Sequence, residues 1–165
     1  GQEYDAAKFQ SMFQLNPRAC LLWDMELHVL DWNKAAEKTF GYKFEEIEGK
    51  TLSETLLEGL ADGDEVVASI KDQLHKSRDG FQNINKNKRK DGIVITCDWY
   101  NSPVFDEEGN PLFLISEAVD ITKDMKREES KKELAPYILE KSQELDTIFS
   151  ESQLVPSTNS KIANV

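Results

Sequence analysis

The chain has 165 residues and a formal net charge of −11, because 31 acidic residues spread along its length outnumber 20 basic ones. This length suits one globular domain with residues to spare, and the acidic balance argues against contact with nucleic acid or an anionic membrane surface. The basic cluster at residues 85–90 is the local exception, and we interpret it as a solvated hairpin end. No apolar run approaches the roughly 20 residues that cross a bilayer. We therefore expect a cytoplasmic protein, or a cytosolic part of a larger one, that makes no membrane contact.

The first fifteen residues carry apolar side chains at helical spacing, which predicts a short amphipathic helix that ends before Pro17. Its apolar face could lie against a sheet or across a dimer partner, and the sequence leaves both open. Two apolar runs follow at residues 19–24 and 28–32. Three residues separate them, which is the pattern of a β-hairpin.

Short helices and turns come after this hairpin. Asn33 is a natural N-cap for a helix that begins at Lys34, and Gly41 ends that helix after barely two turns. An acidic turn closes at Gly49. We assign both glycines to backbone geometry, because Gly tolerates the left-handed conformation at a helix end. Residues 51–60 are predicted to form another short helical segment.

The second half of the domain is predicted to hold one longer helix and a three-stranded meander. The helix covers residues 64–77, and the strands lie within residues 81–89, 93–104 and 112–122. Asp91 with Gly92 supplies the tight turn between the first two of these strands. With the N-terminal hairpin this makes five antiparallel strands and a block of helices across one face, an α+β fold.

The two cysteines, Cys20 and Cys97, lie inside apolar strand-like runs. Neither belongs to a CxxC pair, and no His stands at metal-ligand spacing from them. We expect buried, reduced thiols and no metal site.

The composition changes sharply after Thr122. Residues 123–150 are highly charged and helix-forming, and four apolar side chains recur at heptad-like steps: Leu134, Ile138, Leu145 and Ile148. Lys141 takes one position of this seam and Pro136 interrupts the run, so a solvated helix and a pairing helix both remain open. Residues 151–165 are polar and turn-rich, which predicts a disordered tail.

The order of these elements and motifs resembles a PAS domain with its C-terminal PAC portion, a sensory-box domain of bacterial or archaeal signalling proteins. The motifs that carry the resemblance are NPRACLLWDMELHVLDWNKAAEKTFGY, EEIEGK, RKDG, WYNSPVFDEEGNPL and VDIT. The match runs over residues 16–122, between the N-terminal helix of residues 1–15 and the charged helix. The resemblance implies a five-stranded antiparallel sheet in the order 2-1-5-4-3. It also implies helices that enclose a small pocket on one face, with further helices flanking the domain.

Candidate pocket residues follow from the alternation along residues 93–104. This alternation sends four side chains to one face, which we take as the pocket side: Ile95, Cys97, Trp99 and Asn101. Trp99 offers an apolar wall and Asn101 offers donors and an acceptor, which suits a small polar or aromatic ligand. Trp99 could equally fill the pocket so that nothing binds.

Glu117 fits the predicted last strand least well. If it faces the pocket, it is a buried carboxylate that needs a partner and becomes a candidate for ligand or pH sensing. If it faces outward, it is a solvated or interface residue, which is the reading we prefer.

The resemblance implies that the last strand joins the outgoing helix at Asp120, in the sequence VDIT. An Asp that caps or hydrogen-bonds there could couple movement of the sheet to the helix through Ile121 and Thr122, although Thr122 could itself be the cap. We therefore expect these three residues to form a signal relay.

The cofactor cannot be named from the sequence, but two candidates are disfavoured. Haem-binding members of the family place a His on the long helix, where this chain has Ser69, while His75 is expected at the surface. Light-sensing flavin members carry a reactive Cys in a region that here reads GKTLSETLL, so a covalent flavin adduct is excluded, while non-covalent flavin binding stays open without a motif that supports it.

We expect no catalysis, since neither His28 nor His75 has a visible nucleophile or acid at a recognisable spacing. The sequence predicts a sensory domain, and we expect it to belong to a longer chain in which it controls an output module such as a histidine kinase. A small ligand or a partner would act on the pocket, and a homodimer is expected. The alternatives are a ligand-free interaction module and, more weakly, a small ligand-binding protein with no output domain.

Overall fold

The computed structural model describes the backbone of residues 2–163 and the side chains of residues 5–153. Its strands are β1 (Ala19–Trp23), β2 (Val29–Trp32), β3 (Phe81–Lys88), β4 (Val94–Phe105) and β5 (Pro111–Asp120). Its helices are α1 (Gln2–Leu15), α2 (Lys34–Phe40), α3 (Phe44–Ile47), α4 (Gly63–Lys76) and α5 (Thr122–Ala163). The chain divides into two compact units, Gly1–Thr122 and Lys123–Val165.

The five strands form one antiparallel sheet in the order β2-β1-β5-β4-β3, which confirms the order that the resemblance implied. The core lies on the sheet face that α2, α3 and α4 cover, where Phe40, Ile47 and Leu74 pack against inward side chains of the strands. Residues 51–60 form turns rather than the short helix that the sequence predicted. The side chains of Leu52, Leu56 and Leu57 are buried although their backbone forms turns. The hydrophobic contacts of this segment therefore do not require a regular helix.

Helix α1 packs on the opposite face of the sheet. Phe13 is buried there, and it lines a shallow cleft together with Phe9, Cys20 and Ile115. Phe9 remains 46% exposed, so one side of this helix keeps apolar surface open to solvent. Of the two arrangements that the sequence allowed for this helix, packing against the outer face of the sheet is therefore observed within the chain.

The Asn33 side chain joins three elements at the start of α2. It is fully buried, and its Oδ1 accepts hydrogen bonds from Ala36 N and Cys20 N, each at 2.9 Å. Its Nδ2 donates to Phe13 O at 2.9 Å and to Arg18 O at 3.0 Å. The predicted helix cap is present, and the same amide also ties α1 and β1 to that helix.

Gly41 ends α2 in the left-handed conformation, with φ of 83° and its N–H bonded to Glu37 O at 2.8 Å. A side chain at this φ would be strained. Gly49 and Gly92 also have positive φ, and Ile93 N donates to Asp91 Oδ1 at 3.1 Å within the β3–β4 turn.

The C-terminal unit consists of α5, which continues through Pro136 and reaches Ala163. The structure thus has helix at residues 151–163, where the sequence predicted disorder, and residues 164 and 165 lie outside the described part. No glycine occurs between residues 123 and 163, so the sequence supplies no left-handed C-cap to end the helix earlier. None of the described helices is long and apolar enough to cross a membrane.

We predict that Asn33→Ala lowers the free energy of unfolding by about 3 kcal/mol, because it leaves several buried backbone groups unpaired. Chemical denaturation followed by circular dichroism measures this value. Asn110→Ala is the matched control in an exposed loop, where about 0.5 kcal/mol or less is expected. Equal losses in the two variants would contradict the joining role of Asn33.

Candidate functional site

The inner face of β4 carries the side chains that the alternation assigned to the pocket. Ile95, Cys97, Trp99 and Asn101 are all buried, whereas the neighbours Val94 and Tyr100 are exposed. Trp99 and Asn101 line a small internal cavity, while Ile95 and Cys97 lie on the same face but outside its lining. The placement of these last two at the ligand is therefore corrected: they belong to the surrounding core.

Trp99 is fixed by contacts on several sides. Its ring stacks on Phe40 at a centroid distance of 5.8 Å and an angle of 9°, and it meets Trp23 at 6.5 Å. Its Nε1 donates a hydrogen bond to Asn87 Oδ1 at 3.0 Å. Such tilted and stacked aromatic pairs add to the stability that burial alone supplies.

The space that Trp99 leaves is small. The cavity has a volume of about 10 Å³, which is room for roughly one water molecule. Its apolar lining is Trp23, Leu27, Leu52, Ile70, Trp99 and Leu114. Its polar lining, which we name the asparagine cluster, is Asn83, Asn85, Asn87, Asn101 and Ser116.

The asparagine cluster is connected by side-chain hydrogen bonds across three strands. Ser116 Oγ on β5 donates to Asn101 Oδ1 on β4 at 2.7 Å, and Asn101 Nδ2 donates to Asn83 Oδ1 on β3 at 2.6 Å. Asn83 Nδ2 in turn donates to Asn85 Oδ1 at 2.5 Å. Polar side chains in such a chain hold one another in position at the wall of the cavity.

Asn87 differs from the rest of the cluster. Its side chain is fully buried, and its Nδ2 has no hydrogen-bond partner among the described residues. The orientation of this amide is determined by Trp99, because an indole N–H can only donate and so must face Oδ1. A buried amide donor without an acceptor costs about 1–3 kcal/mol, so this site favours an acceptor supplied by something else.

The sequence analysis missed the three asparagines of β3: it placed two of them, Asn85 and Asn87, in a basic cluster at a solvated hairpin end and gave Asn83 no role. Asn83, Asn85 and Asn87 recur at every second residue, and this period places them on one face of a strand. Lys86 and Lys88 favoured the solvated interpretation because they are charged. That period of two was the signal that could have identified the face.

The basic residues around this strand are paired with acidic ones. Lys88 lies 3.8 Å from Glu58, Lys90 contacts Glu46, and Arg89 contacts Asp91. Three of the four basic side chains of the local cluster are thus paired within the domain, and the fourth, Lys86, is exposed, which agrees with the interpretation of the cluster as a surface feature.

Glu117 does not line the cavity, so the inward alternative, in which it would be a pocket residue, is not the one observed. On β5 the inward positions belong to Leu114, Ser116 and Ala118, so Glu117 points to the opposite face. There it accepts a hydrogen bond from Asn16 Nδ2 at 3.0 Å and lies 3.6 Å from Arg18. The outward alternative that the sequence analysis preferred is the one observed.

Burial keeps both thiols protonated. It raises the pKa of Cys20 to about 11, with Glu117 contributing in the same direction, and it raises the pKa of Cys97 to about 12, helped by Asp120. Neither cysteine forms a disulfide. Since the thiolate is the reactive form, both side chains act as packing groups at neutral pH.

The predicted relay residues form a clamp on β4. Ile121 N donates to Thr96 O, and Thr96 N donates to Thr122 Oγ1, both at 2.9 Å. Asp120 Oδ1 accepts from Thr122 N at 3.0 Å and from Thr122 Oγ1 at 2.5 Å. Thr96 thus holds the end of β5 and the first residue of α5 with two hydrogen bonds.

The two histidines and Ser69 lie away from the cavity. His75 is exposed, Ser69 lines an outer groove, and His28 bonds to Asp24 Oδ2 through Nδ1 at 2.8 Å. Among the residues whose side chains are described, no cluster of three or more His, Cys, Asp or Glu could hold a metal ion.

The family model described as the PAS fold matches residues 7–121, which is more than half of the chain. No match was found among curated proteins.

Several solved structures resemble this fold. The RNA-binding light-oxygen-voltage receptor has a TM-score of 0.71 at 18% identity, and the alignment covers 85% of this chain and 39% of that one. The PAS domain of a protein from Colwellia psychrerythraea has a TM-score of 0.64 at 19% identity, covering 72% and 98%. A domain of a sensory box sensor histidine kinase/response regulator from Geobacter sulfurreducens has a TM-score of 0.58 at 17% identity, covering 73% and 97%. At these identities the likeness concerns the fold.

We predict that iodoacetamide labels neither thiol of the folded protein near pH 8 and labels both after denaturation, as mass spectrometry can measure. The raised pKa values also make folding favour the neutral thiols. Their contribution to stability is complete below pH 9.0, the ordinary value for a thiol, and is lost as pH rises towards about 11 for Cys20 and 12 for Cys97. The double variant Cys20→Ala/Cys97→Ala should lose less stability over that range. Rapid labelling of the folded chain would contradict the assignment.

Proposed function

The chain belongs to the PAS fold family, and from that premise we propose that it is a sensory domain whose asparagine cluster binds a small molecule and whose α5 passes on the response. The family match covers nearly all of the unit Gly1–Thr122. Domains of this family serve signal transduction, and this chain has the internal cavity and the outgoing helix that such a role requires. We assign it no catalytic step, and we propose that it acts in the cytoplasm.

The observation that carries the proposal is the buried asparagine cluster with its unpartnered Asn87 amide. A cavity that existed for stability alone would be filled by apolar side chains, because burying polar groups costs free energy unless every one is paired. Here five polar side chains surround about 10 Å³ of space and one donor has no partner. This combination supports binding of a molecule that supplies an acceptor.

A response can travel from this cluster to α5 along neighbouring residues. Asn87 lies opposite Ile95 in the β3–β4 pairing, and the next residue on β4 is Thr96. Thr96 holds Ile121 and Thr122 through its two backbone hydrogen bonds. We propose that a ligand at Asn87 shifts the population of this clamp between a closed and an open state.

We propose that the domain controls an output module beyond α5. The similarity to a domain of a sensor histidine kinase supports a kinase-type output module beyond α5. The chain spans 39% of the RNA-binding receptor, so the activity of that whole protein does not transfer. The pairing of Lys88, Arg89 and Lys90 with acidic residues gives no support to an RNA-binding surface.

Several of the similar structures are light-oxygen-voltage domains, and one concerns a flavin analogue. The residues present here do not fit a flavin. A three-ring isoalloxazine is far larger than a cavity of about 10 Å³, and Trp99 occupies the space between Phe40 and the sheet. The segment of residues 49–57 contains no Cys for an adduct. We propose no flavin chemistry.

An interaction module is the second candidate, and α5 supplies its observation. Leu134, Ile138, Leu145 and Ile148 are each more than half exposed at heptad-like spacing. Lys141, which takes one seam position, pairs with Glu144 at 3.1 Å along the same helix. Such a stripe suits pairing with a second copy of the chain, so we propose a homodimer in which the sensory role and the pairing role coexist.

A thermal-shift screen of small polar molecules tests the sensory role. We predict that the screen finds compounds that raise the unfolding temperature of the wild-type chain by binding its folded state. The affinity of these compounds should fall about tenfold or more in the Asn87→Leu variant. The same compounds should change amide hydrogen exchange at residues 121–126 in wild type but not in Thr122→Val. Thr147→Val, in the middle of α5, is the matched control for the relay. The interaction module would be favoured if the screen finds no such compound, or if the compounds leave amide hydrogen exchange at residues 121–126 unchanged.

Sedimentation equilibrium tests the pairing role. We predict that Leu145→Glu converts a dimer to a monomer, because a charge in the seam is buried without a partner. Leu139→Glu is the matched control, since Leu139 is 61% exposed but lies off the seam. A wild-type monomer, or equal effects of the two variants, would contradict a dimer built on this stripe.

A further inference from the structure

We infer that the internal cavity takes a small uncharged molecule with a carbonyl oxygen, which enters between α4 and β3 through a gate formed by Ile70, Asn83 and Asn85. This inference rests on the proposed function and adds to it the class of ligand and the access route. It is carried by two adjoining spaces in the structure and by the hydrogen-bonding state of the residues between them.

The first step is the shared wall. An outer groove of about 200 Å³ lies beside the cavity, and both spaces are lined by Ile70, Asn83 and Asn85. The remaining lining of the groove is Asp62, Glu65, Val66, Ser69 and Ile84. Three side chains therefore separate solvent from a buried amide donor, and no backbone segment needs to unfold to connect the two spaces.

The second step is the nature of that wall. Asn83 and Asn85 close the opening through a hydrogen bond between their side chains, and Asn101 holds Asn83 from the inner side. Both β3 side chains are half-buried, so each amide can exchange its partner for water or for a ligand. Exchanging one hydrogen bond for another costs far less than opening a packed apolar core.

The third step concerns the hydrogen-bonding group that a ligand must supply inside the cavity. Asn87 Oδ1 and Asn101 Oδ1 already accept from Trp99 and Ser116, whereas Asn87 Nδ2 has no partner among the described residues. A ligand must therefore bring an acceptor rather than a further donor to this point. A carbonyl oxygen supplies one with two lone pairs and little bulk.

The fourth step concerns charge. Neither space is lined by a Lys, Arg or His within the described part of the chain, and Asp62 with Glu65 stands at the outer groove. An anion would pass two carboxylates and then lie buried without a counter-charge, which is strongly unfavourable. A cation would be repelled by the unpartnered N–H group of Asn87 inside the cavity, because the hydrogen of an N–H group carries partial positive charge. An uncharged carbonyl compound satisfies both conditions.

The fifth step concerns the size of the ligand and the part of the cavity wall that can move to admit it. The stack of Phe40 on Trp99 fixes the aromatic side, so the cavity can grow where the amides and Ile70 meet the outer groove. A molecule of a few non-hydrogen atoms, such as an amide, a urea or a small ketone, would take the place of the amide contacts at the gate.

The ligand class is tested with acetamide and acetate, which have nearly the same shape and differ in charge. Each is titrated into the full ¹⁵N-labelled chain while the indole N–H signal of Trp99 is followed by NMR. We expect acetamide to bind at least about tenfold more tightly than acetate and to lose at least about tenfold with Asn87→Leu. Equal binding of the two probes, or no binding of acetamide, would overturn the ligand class.

The access route is tested with Ile70→Ala, which widens the gate. We expect the association and dissociation rates of acetamide, taken from NMR line shapes, to rise together about tenfold while the affinity stays within about threefold. Leu74→Ala is the matched control, because Leu74 is buried on the same helix and lines neither space. Ile70→Val serves if Ile70→Ala does not fold. Rates that respond equally to the Ile70 and Leu74 changes would overturn the route.

These outcomes are separate from those of the proposed function. If acetamide fails while other compounds bind in an Asn87-dependent manner and reach α5, the ligand class is wrong and the sensory role stands. If acetamide binds at Asn87 but amide exchange at residues 121–126 never responds, the site is right and the relay is wrong.

Discussion

One buried amide, the side chain of Asn33, joins the elements that enclose the site. It bonds to Phe13 in the last turns of α1, to Arg18 just before β1 and Cys20 within β1, and to the first turn of α2. Because a side-chain amide offers two donors and an acceptor in a fixed plane, these elements must meet at fixed relative positions. The position of α2, and with it Phe40 against Trp99, follows from this junction.

The site itself combines a rigid side and an adaptable side. Trp99 is held by stacking and by its single hydrogen bond to Asn87, so the aromatic wall has little freedom. The wall opposite consists of amides that bond to one another and whose partners can be exchanged. A protein that needed stability alone would lose the polar wall, since an incompletely paired polar cluster is less favourable than an apolar one. Its presence supports the binding role that we propose, and Asn87 in this wall pairs with Ile95, the neighbour of Thr96 on β4.

The sequence predicted the inward face of β4 and the Asn33 cap because each follows from a local rule, whereas the sheet order came from the resemblance to a known family. Period-two alternation assigns Trp99 and Asn101 to one face whatever lies beside them. The inward face of β3 was missed because two of its asparagines, Asn85 and Asn87, are followed by Lys86 and Lys88, and these charges suggested a solvated surface. The turns at residues 51–60 were misjudged because helix-forming residues there are held in turns by tertiary burial of Leu56 and Leu57.

The sequence by itself determined which residues could form strands, turns and caps, and it determined that Trp99 stands on the core side, because these properties depend on spacing and on the intrinsic geometry of Gly and Asn. Only the tertiary structure decided how much space Trp99 leaves, that Asn87 must turn its oxygen to the indole, and that Glu117 pairs with Arg18 on the other face. These depend on distances between strands far apart in sequence. A cavity is what remains after all side chains have packed, so no local pattern contains its size or its unpaired donor.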